Sequence, residues 1–376
     1  MSSLTRADVN SENQPRVVVG MSGGVDSSVT AALLIEQGYD VVGAMLRVWP
    51  WKEPDETQGR FGSCCSPAAV DDARRVAERL EIPFYLLNIE REFEKTVIEN
   101  FAEEYLGGRT PSPCVICNQE VKFGSLLRRA FAWEAMAVAT GHYARIKQDL
   151  ITGRHLLLRG KDQRKDQSDF LWPLTQDQLA AARFPVGDLT KEEVRAKARA
   201  LALPVADKPE SQEICFVPDD DYRGFLRQRI PEAFRPGPII DRKGIVVGEH
   251  KGLAAYTVGQ RRGLGLASGR PLYVVELDPD RNVVVVGEDR DLETTRLIAT
   301  RVNLIAFDRL ERPVAVQAKI RHSHHPAPAT IYPLEGKRVE VAFDTPQRAV
   351  TPGQSAVFYQ GDLVVGPALH LPDGDL

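Results

Sequence analysis

The sequence predicts an α/β protein: a parallel sheet with helices in the N-terminal half, then two small β-rich modules, the last a β-barrel. Three observations carry this. Apolar runs alternate with helix-length segments up to about residue 200. The first run, Val17 to Val19, leads through a glycine loop straight into a helix. From Arg235, after the punctuation Pro236-Gly237-Pro238, short β-type runs follow at close spacing, many of them separated by Gly or Pro. A length of 376 residues suits two or three domains. The expected divisions are a disordered lead-in over 1–15, an α/β domain over 16–212, a central β-rich domain over 213–290 carrying Cys215, and a barrel over 291–376.

The chain is organised around Val17 to Ser28, V-V-V-G-M-S-G-G-V-D-S-S. Gly20, Gly23 and Gly24 allow a tight turn and a close approach of backbone N–H groups to a ligand. Met21, Ser22, Val25, Asp26 and Ser27 complete the loop, and the helix over about 27–37 points its positive end at it. Strand, loop and helix N-terminus make an anion site. It is not a Walker A loop, which needs a lysine here. S-G-G-x-D-S resembles the pyrophosphate loop (PP-loop) of enzymes that cleave ATP between its α and β phosphates. That resemblance makes Asp26 the acid associated with Mg²⁺.

The remaining elements follow in order. Gly38 closes the first helix. Val41 to Val48 reads as a second strand whose far end, near Leu46, lies beside the loop in a doubly wound sheet. Trp49 to Ser63 is a polar insertion. Ser66-Pro67 starts a helix to about Leu80, with Val70, Ala73, Val76, Ala77 and Leu80 on one face. Ile82 to Ile89 holds a third strand, and 92–105 a helix. The loop R-T-P-S-P-C-V-I-C follows, then a helix from Asn118 to about Phe131. Ala135 to Ala139 is a fourth strand leading into T-G-H-Y, so Gly141 and His142 lie at the ligand-binding ends of the strands. His155 to Arg159 is a further strand. Thr190 to Glu193 is a capping box for a helix to about Leu201. Beyond 235 the β-type runs include 297–304, 314–320, 338–343, 355–359 and 363–368.

Composition bounds the classes. Hydrophobic residues make up 43% and charged residues 27%, which suits a globular chain. No apolar run reaches the ~18 residues of a membrane span, and the first fifteen residues hold no signal-peptide core. Five cysteines are an odd number and do not read as a disulfide framework, so a cytoplasmic location is expected. Net charge is −4, so a nucleic-acid partner needs local basic patches. Residues 145–165 carry seven Lys/Arg against two acids, and 242–270 carry six against one.

Cys64-Cys65 reads as a bystander pair. Cys114, Cys117 and Cys215 sit in polar, loop-like surroundings, with Cys117 just before a helix N-terminus that lowers a thiol pKa. Three chemistries stay open. One thiol carries a persulfide that the other attacks. Alternatively, Cys114, Cys117 and Cys215 hold an iron–sulfur cluster. A zinc site wants a fourth ligand; none stands out beyond His142, and such a site has no clear use here.

Seven ordered motifs now stand together: S-G-G-V-D-S-S, T-P-S-P-C-V-I-C-N-Q-E-V-K-F, A-T-G-H-Y-A-R, K-D-Q-S-D-F-L, E-S-Q-E-I-C-F-V-P, H-K-G-L-A-A-Y-T-V-G-Q-R-R-G-L-G-L and T-P-G-Q-S-A-V. In order and spacing they resemble the bacterial tRNA-specific 2-thiouridylases of the MnmA type, over nearly the whole chain. The resemblance implies ATP-dependent 2-thiolation of the wobble uridine of the tRNAs for Lys, Glu and Gln. The 2-carbonyl oxygen is adenylated, and a cysteine persulfide then supplies sulfur. By the same carry-over, Gly20 to Ser27 bind the ATP phosphates, and Leu46 and Gly141 the adenosine end. Cys215 carries the persulfide, and Cys117 is its partner, the two forming a disulfide in one state. Ser112, Pro113 and Cys114 touch the target base. His142, Lys165, Asp166, Gln167, Arg321, His322 and Gln354 contact tRNA. The implied cofactors are ATP and Mg²⁺, with a [4Fe-4S] cluster as the alternative. The sulfur donor is a cysteine desulfurase or a relay carrier. One departure stands out: many members have Asp where this chain has Cys114. Two other classes compete, a PP-loop amidotransferase or ligase and a non-catalytic RNA-binding module. The first leaves Cys117 and Cys215 idle, and the second leaves the ATP loop unexplained.

Overall fold

The computed structural model describes residues 14–49, 66–210, 214–217 and 220–370. The lead-in, most of the 49–63 insertion and the Cys64-Cys65 pair lie outside the described residues. The N-terminal half runs β1 (Arg16–Gly20), α1 (Val25–Glu36), β2 (Asp40–Arg47), α2 (Pro67–Arg79), β3 (Phe84–Asn88), helical runs α3 (90–106) and α4 (113–132), and β4 (Ala137–Ala139). Then come β5 (Ala144–Gln148), β6 (His155–Arg159), α5 (Gln176–Ala180), β7 (Ala182–Arg183) and α6 (Lys191–Ala200). Strands β3-β2-β1-β4-β7 form one all-parallel sheet. Both of its faces are covered, as parallel sheets require. Val17 and Val19 enter one apolar core with α1 and α2, while Val18 enters another with Phe123 and Leu126 of α4.

Local signals explain the helix starts. Ser66 accepts from the N–H of Ala69, with Pro67 in the first turn of α2. At α6 both arms of the Thr190–Glu193 capping box form. Pro113 likewise takes the first helical turn after Ser112, though the Ser112 side chain makes no cap bond, and this start corrects the sequence reading. The C-x-x-C is not on a loop before a helix. Helix α4 starts at Pro113, so Cys114 and Cys117 lie within its first turns. Its middle, Cys117–Ser125, is wound as a π-helix, and α3 carries a shorter π segment at Glu94–Ile98. Such segments are rare and cluster at functional sites.

The rest of the chain holds α7 (Tyr222–Arg229) and a four-stranded sheet of β8 (Gly237–Asp241), β9 (Val246–His250), β10 (Tyr273–Asp278) and β11 (Val283–Gly287). After these come β12 (Glu293–Thr300), β13 (Val314–Lys319), β14 (Ala327–Leu334), β15 (Arg338–Arg348), β16 (Ser355–Gln360) and β17 (Leu363–His370). The order β12-β15-β14-β13-β16-β17 closes because β12 also pairs with β17. Two features depart from expectation. Strand β12 begins at Glu293, ahead of the expected 297, and ends before Arg301, whose φ of 53° turns the chain. The β5–β6 hairpin joins the barrel sheet through Leu158 opposite Leu363. No helix among the described residues is long and apolar enough to cross a membrane.

Candidate active site

The site begins where β1 ends. Gly23 takes a φ of 68°, and a Cβ there would lie 2.3 Å from the Ala69 carbonyl oxygen, so α2 abuts the loop too closely for any side chain. Gly24 occupies the N-cap of α1 and brings no side chain to the first-turn N–H groups. The hydroxyls of Ser27 and Ser28 donate to the Gly24 carbonyl at 3.2 and 2.8 Å, and the Ser27 hydroxyl accepts from the Ser22 N–H at 3.2 Å. Met21 is buried, and its N–H donates to Ala44 of β2. Leu46 follows at the end of that strand, half-buried against two cores. Gly141 comes in from β4. A Cβ there would sit 2.7 Å from the Ser27 nitrogen. The structure thus brings Gly20–Ser27 and Gly141 together, while Leu46 lies further along β2, beyond Ala44 that pairs with Gly20.

Asp26 is held firmly. The Tyr143 hydroxyl donates to it at 2.8 Å, and Lys191 Nζ reaches both its oxygens at 2.7 and 2.8 Å. Burial, then the Asp26 charge, pushes the Tyr143 phenol well above its ordinary pKa, so it stays a donor. Lys191 is itself buried and also pairs with Glu210 at 2.6 Å; Lys165 pairs with the same Glu210 at 2.6 Å. Burial pushes the Glu210 carboxyl up, but hydrogen bonds and charge from Lys165 and Lys191 outweigh it and bring it down to about 2. Lys208 Nζ donates to the Gly23 carbonyl at 2.9 Å and pairs with Asp72 at 2.7 Å. Tyr143, Lys191, Lys208 and Glu210 escaped the sequence reading as site residues. Lys191 showed only as part of a capping box, and Glu210 only within the Cys215 motif.

Cys117 and Cys215 are half-buried against one apolar cluster, and Cys114 is exposed. That cluster contains Phe93, Phe101, Val121, Phe216 and Leu226, with Leu46 at its margin. Phe216 meets Phe101 edge-on at 5.2 Å between ring centres and Phe93 at 5.7 Å, which anchors the residue next to Cys215. The thiols and Leu46 at the end of β2 therefore share one wall.

The barrel supports the Ser112–Cys114 segment. Thr110 donates its N–H to Pro352 at 2.8 Å, and its carbonyl accepts from the Gln354 amide at 2.7 Å. A cleft of about 370 Å³ opens beside Ser112, lined also by Ile116, Trp172, Arg301, Lys337 and Gly353. The other residues expected to face tRNA divide into two groups. His142 is buried, bonded to Thr140 at 2.6 Å, and kept neutral because burial and Lys122 lower its pKa well below 6.5. Asp166 is buried and shapes a turn by accepting from the N–H groups of Gly160 and Ser168, and Gln167 accepts from the Tyr143 N–H. His322 is more open; it bonds Asp169 at 2.9 Å and lies 4.6 Å from the Phe170 ring. Arg321 donates to the carbonyls of Arg348 and Ala349.

The first basic patch is largely neutralised inside the chain. Arg145 pairs with Asp362, Arg154 with Asp308, Lys161 with Glu193, Arg164 with Glu192 and Lys165 with Glu210. Spacing alone could not show this, because most of these acids lie far away in sequence. In the second patch Arg242, Lys243, Lys251, Arg261 and Arg262 are all exposed.

Two ion fits can be tested on these residues. For Mg²⁺, both oxygens of Asp26 already accept from Lys191, so Asp26 as placed does not fit a metal ligand. For a cluster, no three His, Cys, Asp or Glu side chains among the described residues are grouped to hold a metal, Cys114, Cys117 and Cys215 included.

Comparison with known proteins fits this layout. Residues 15–219 match the family model described as tRNA methyl transferase HUP domain, 223–288 its PRC-barrel domain, and 294–369 an aminomethyltransferase beta-barrel domain. A tRNA-specific 2-thiouridylase of Heliobacterium modesticaldum is 55% identical over 96% of this chain and 93% of its own. One from Acetivibrio thermocellus is 52% identical over 94% of this chain and 98% of its own. A solved 4-thiouridine synthetase–RNA complex with ATP covers 58% of this chain and 51% of its own at 16% identity and a TM-score of 0.35, too distant to bear on function. With half its residues shared with such relatives across nearly its full length, the chain belongs to the tRNA-specific 2-thiouridylase family of the MnmA type.

Proposed function

We propose that this protein is a tRNA-uridine 2-sulfurtransferase that converts the wobble uridine of the tRNAs for Lys, Glu and Gln to 2-thiouridine. One observation carries the reading: Cys117 and Cys215, distant in sequence, pack on a single cluster whose margin is Leu46, at the strand end beside the phosphate loop. The description of the matched family model speaks of methyl transfer, but two thiols packed on one apolar cluster suit sulfur chemistry.

A uridine 2-carbonyl is a poor electrophile, and its oxygen a poor leaving group. In the first step O2 attacks the α-phosphorus of ATP, and pyrophosphate leaves with the bonding pair. The loop N–H groups and the N-terminus of α1 hold the phosphates. Sulfur then arrives as a persulfide on Cys215. Cys117 thiolate attacks the Cys215 sulfur, a Cys117–Cys215 disulfide forms, and hydrosulfide is released to the activated C2. AMP departs with the former carbonyl oxygen. The sulfane sulfur is reduced as the two thiols are oxidised, so an external thiol must reset the disulfide. Cys114 sits three residues before Cys117 at the helix start, where a thiolate is stabilised; it serves the acid–base duty that many relatives give to Asp. Mg²⁺ would accompany the nucleotide as its counter-ion, while Asp26 stays bonded to Lys191 and Tyr143. A cysteine desulfurase or relay carrier in the cytoplasm supplies the sulfur.

The test uses anaerobically purified protein and Cys215→Ala. The variant should release pyrophosphate in a tRNA-dependent way and bind tRNA normally, yet leave no 2-thiouridine by nucleoside mass spectrometry. Normal 2-thiouridine in this variant would overturn the persulfide role. Stoichiometric iron and acid-labile sulfide in the wild type would replace it with cluster chemistry.

A further inference from the structure

The phosphate loop contains no lysine of its own. Among the described residues, two lysines bond the loop, and the two are not equivalent. Lys191 is buried and already bridges two carboxylates, Asp26 and Glu210. Its charge is spent on the protein. Among the described residues Lys208 has one carboxylate partner, Asp72; it keeps about a third of its side chain exposed (34%) and donates to the carbonyl of Gly23, the central residue of the loop. An ammonium group has three protons. Gly23 and Asp72 take one each, and no other described residue takes the third.

We propose that Lys208 is the cation that holds the pyrophosphate leaving group during adenylation. This rests on the reading of the loop as an ATP-cleaving site. As the bond between the α-phosphorus and the bridging oxygen breaks, negative charge builds on the departing pyrophosphate. The third proton of Lys208 Nζ hydrogen-bonds to that oxygen without being transferred. The ammonium thus does from outside the loop what a Walker lysine does from within it. Its position in the chain adds a consequence. Lys208 and Glu210 stand in the segment that runs to Cys215, and both contact the loop or its Asp26–Lys191 pair. The leaving-group site and the sulfur-bearing residue therefore share one stretch of backbone.

The experiment compares wild type, Lys208→Met, Lys208→Arg and Asp72→Asn. Two readouts are taken: binding of inorganic pyrophosphate by calorimetry, and tRNA-dependent pyrophosphate release from ATP. Lys208→Met should weaken pyrophosphate binding at least tenfold and lower kcat for release roughly 100-fold, the scale of losing one charge-stabilising donor, with the KM for tRNA unchanged. Lys208→Arg should recover part of both. Asp72→Asn breaks the same ion pair but leaves the ammonium, so it should bind pyrophosphate as well as wild type or better. The inference is overturned if Lys208→Met binds pyrophosphate like wild type, or if Asp72→Asn loses it equally, which would make the pair only a structural pin. If Lys208→Met does not fold, Lys208→Arg and Asp72→Asn still decide. If wild type itself neither binds pyrophosphate nor releases it from ATP, the ATP-cleaving reading fails along with the inference.

Discussion

Glu210 holds two lysines at once, and that makes it sensitive to acid in a defined window. Its carboxyl is depressed from 4.5 to about 2 in the folded chain, against the pull of burial, by Lys165 and Lys191. A depressed carboxyl contributes stability above its unfolded pKa and loses it as pH falls toward the folded one. The Glu210 contribution should be complete above about pH 4.5 and decline toward pH 2. Melting temperatures of wild type and Glu210→Gln across pH 2–7 check this: the gap between them should be constant above pH 5 and close below it. A gap unchanged at pH 2.5 contradicts the assignment. At this scale the sequence showed the loop residues clearly, because glycines, serines and an acid in order carry their own conformational logic. It did not show Lys208 on Gly23, since those residues stand 185 positions apart and only the fold brings them together.

Helix α4 turns the C-x-x-C motif into a rigid presentation. Ser112-Pro113 starts it, Cys114 faces solvent, and Cys117 opens the π-wound stretch that packs on the aromatic cluster. Opposite it, Phe216 is 3% exposed and edge-packed on Phe93 and Phe101. Phe216→Ala should cost about 3–5 kcal/mol of stability, the range for removing a buried aromatic side chain. Because Phe216 adjoins Cys215, thiolation should fall further than tRNA-dependent pyrophosphate release. Urea unfolding and the two activity readouts separate these effects; equal losses in both would mean that the ring does not position Cys215. Elements with a repeating apolar signal or a cap were legible, α2 and α6 above all. Strand β14 was not, because Pro328 and Pro333 read as breaks, though both fit the ladder of a barrel strand. Strand β5 was hidden by its charge, as Arg145 and Lys147 project from it.

Across the whole molecule, the barrel is a brace for the start of α4, through Thr110 bonded to Pro352 and Gln354. Gly353 has a φ of 88°, and a Cβ there would lie 2.9 Å from the Thr110 nitrogen. Gly353→Ala should strain this contact, displace the Thr110–Cys114 segment and lower thiolation at least about tenfold, since small misplacements at a reacting centre are costly. ATP binding should hold. Measured nucleotide affinity and 2-thiouridine yield decide it; intact yield would show the brace to be dispensable. The β-rich half was legible as a texture, but its attachment to the first half was not, because pairing between distant strands leaves no local trace. That attachment also governs the order of synthesis. Arg145 bonds Asp362, 217 residues later, and β6, paired on one side with β5, meets its other neighbour only in β17. As the chain leaves the ribosome, the β5–β6 hairpin must wait with one edge unpaired until nearly the last strand emerges. Such an edge invites pairing with another chain. Completion of the barrel is therefore the event that shields the nascent catalytic half from its neighbours, and a transcript cut short before β17 releases a chain with a sticky edge.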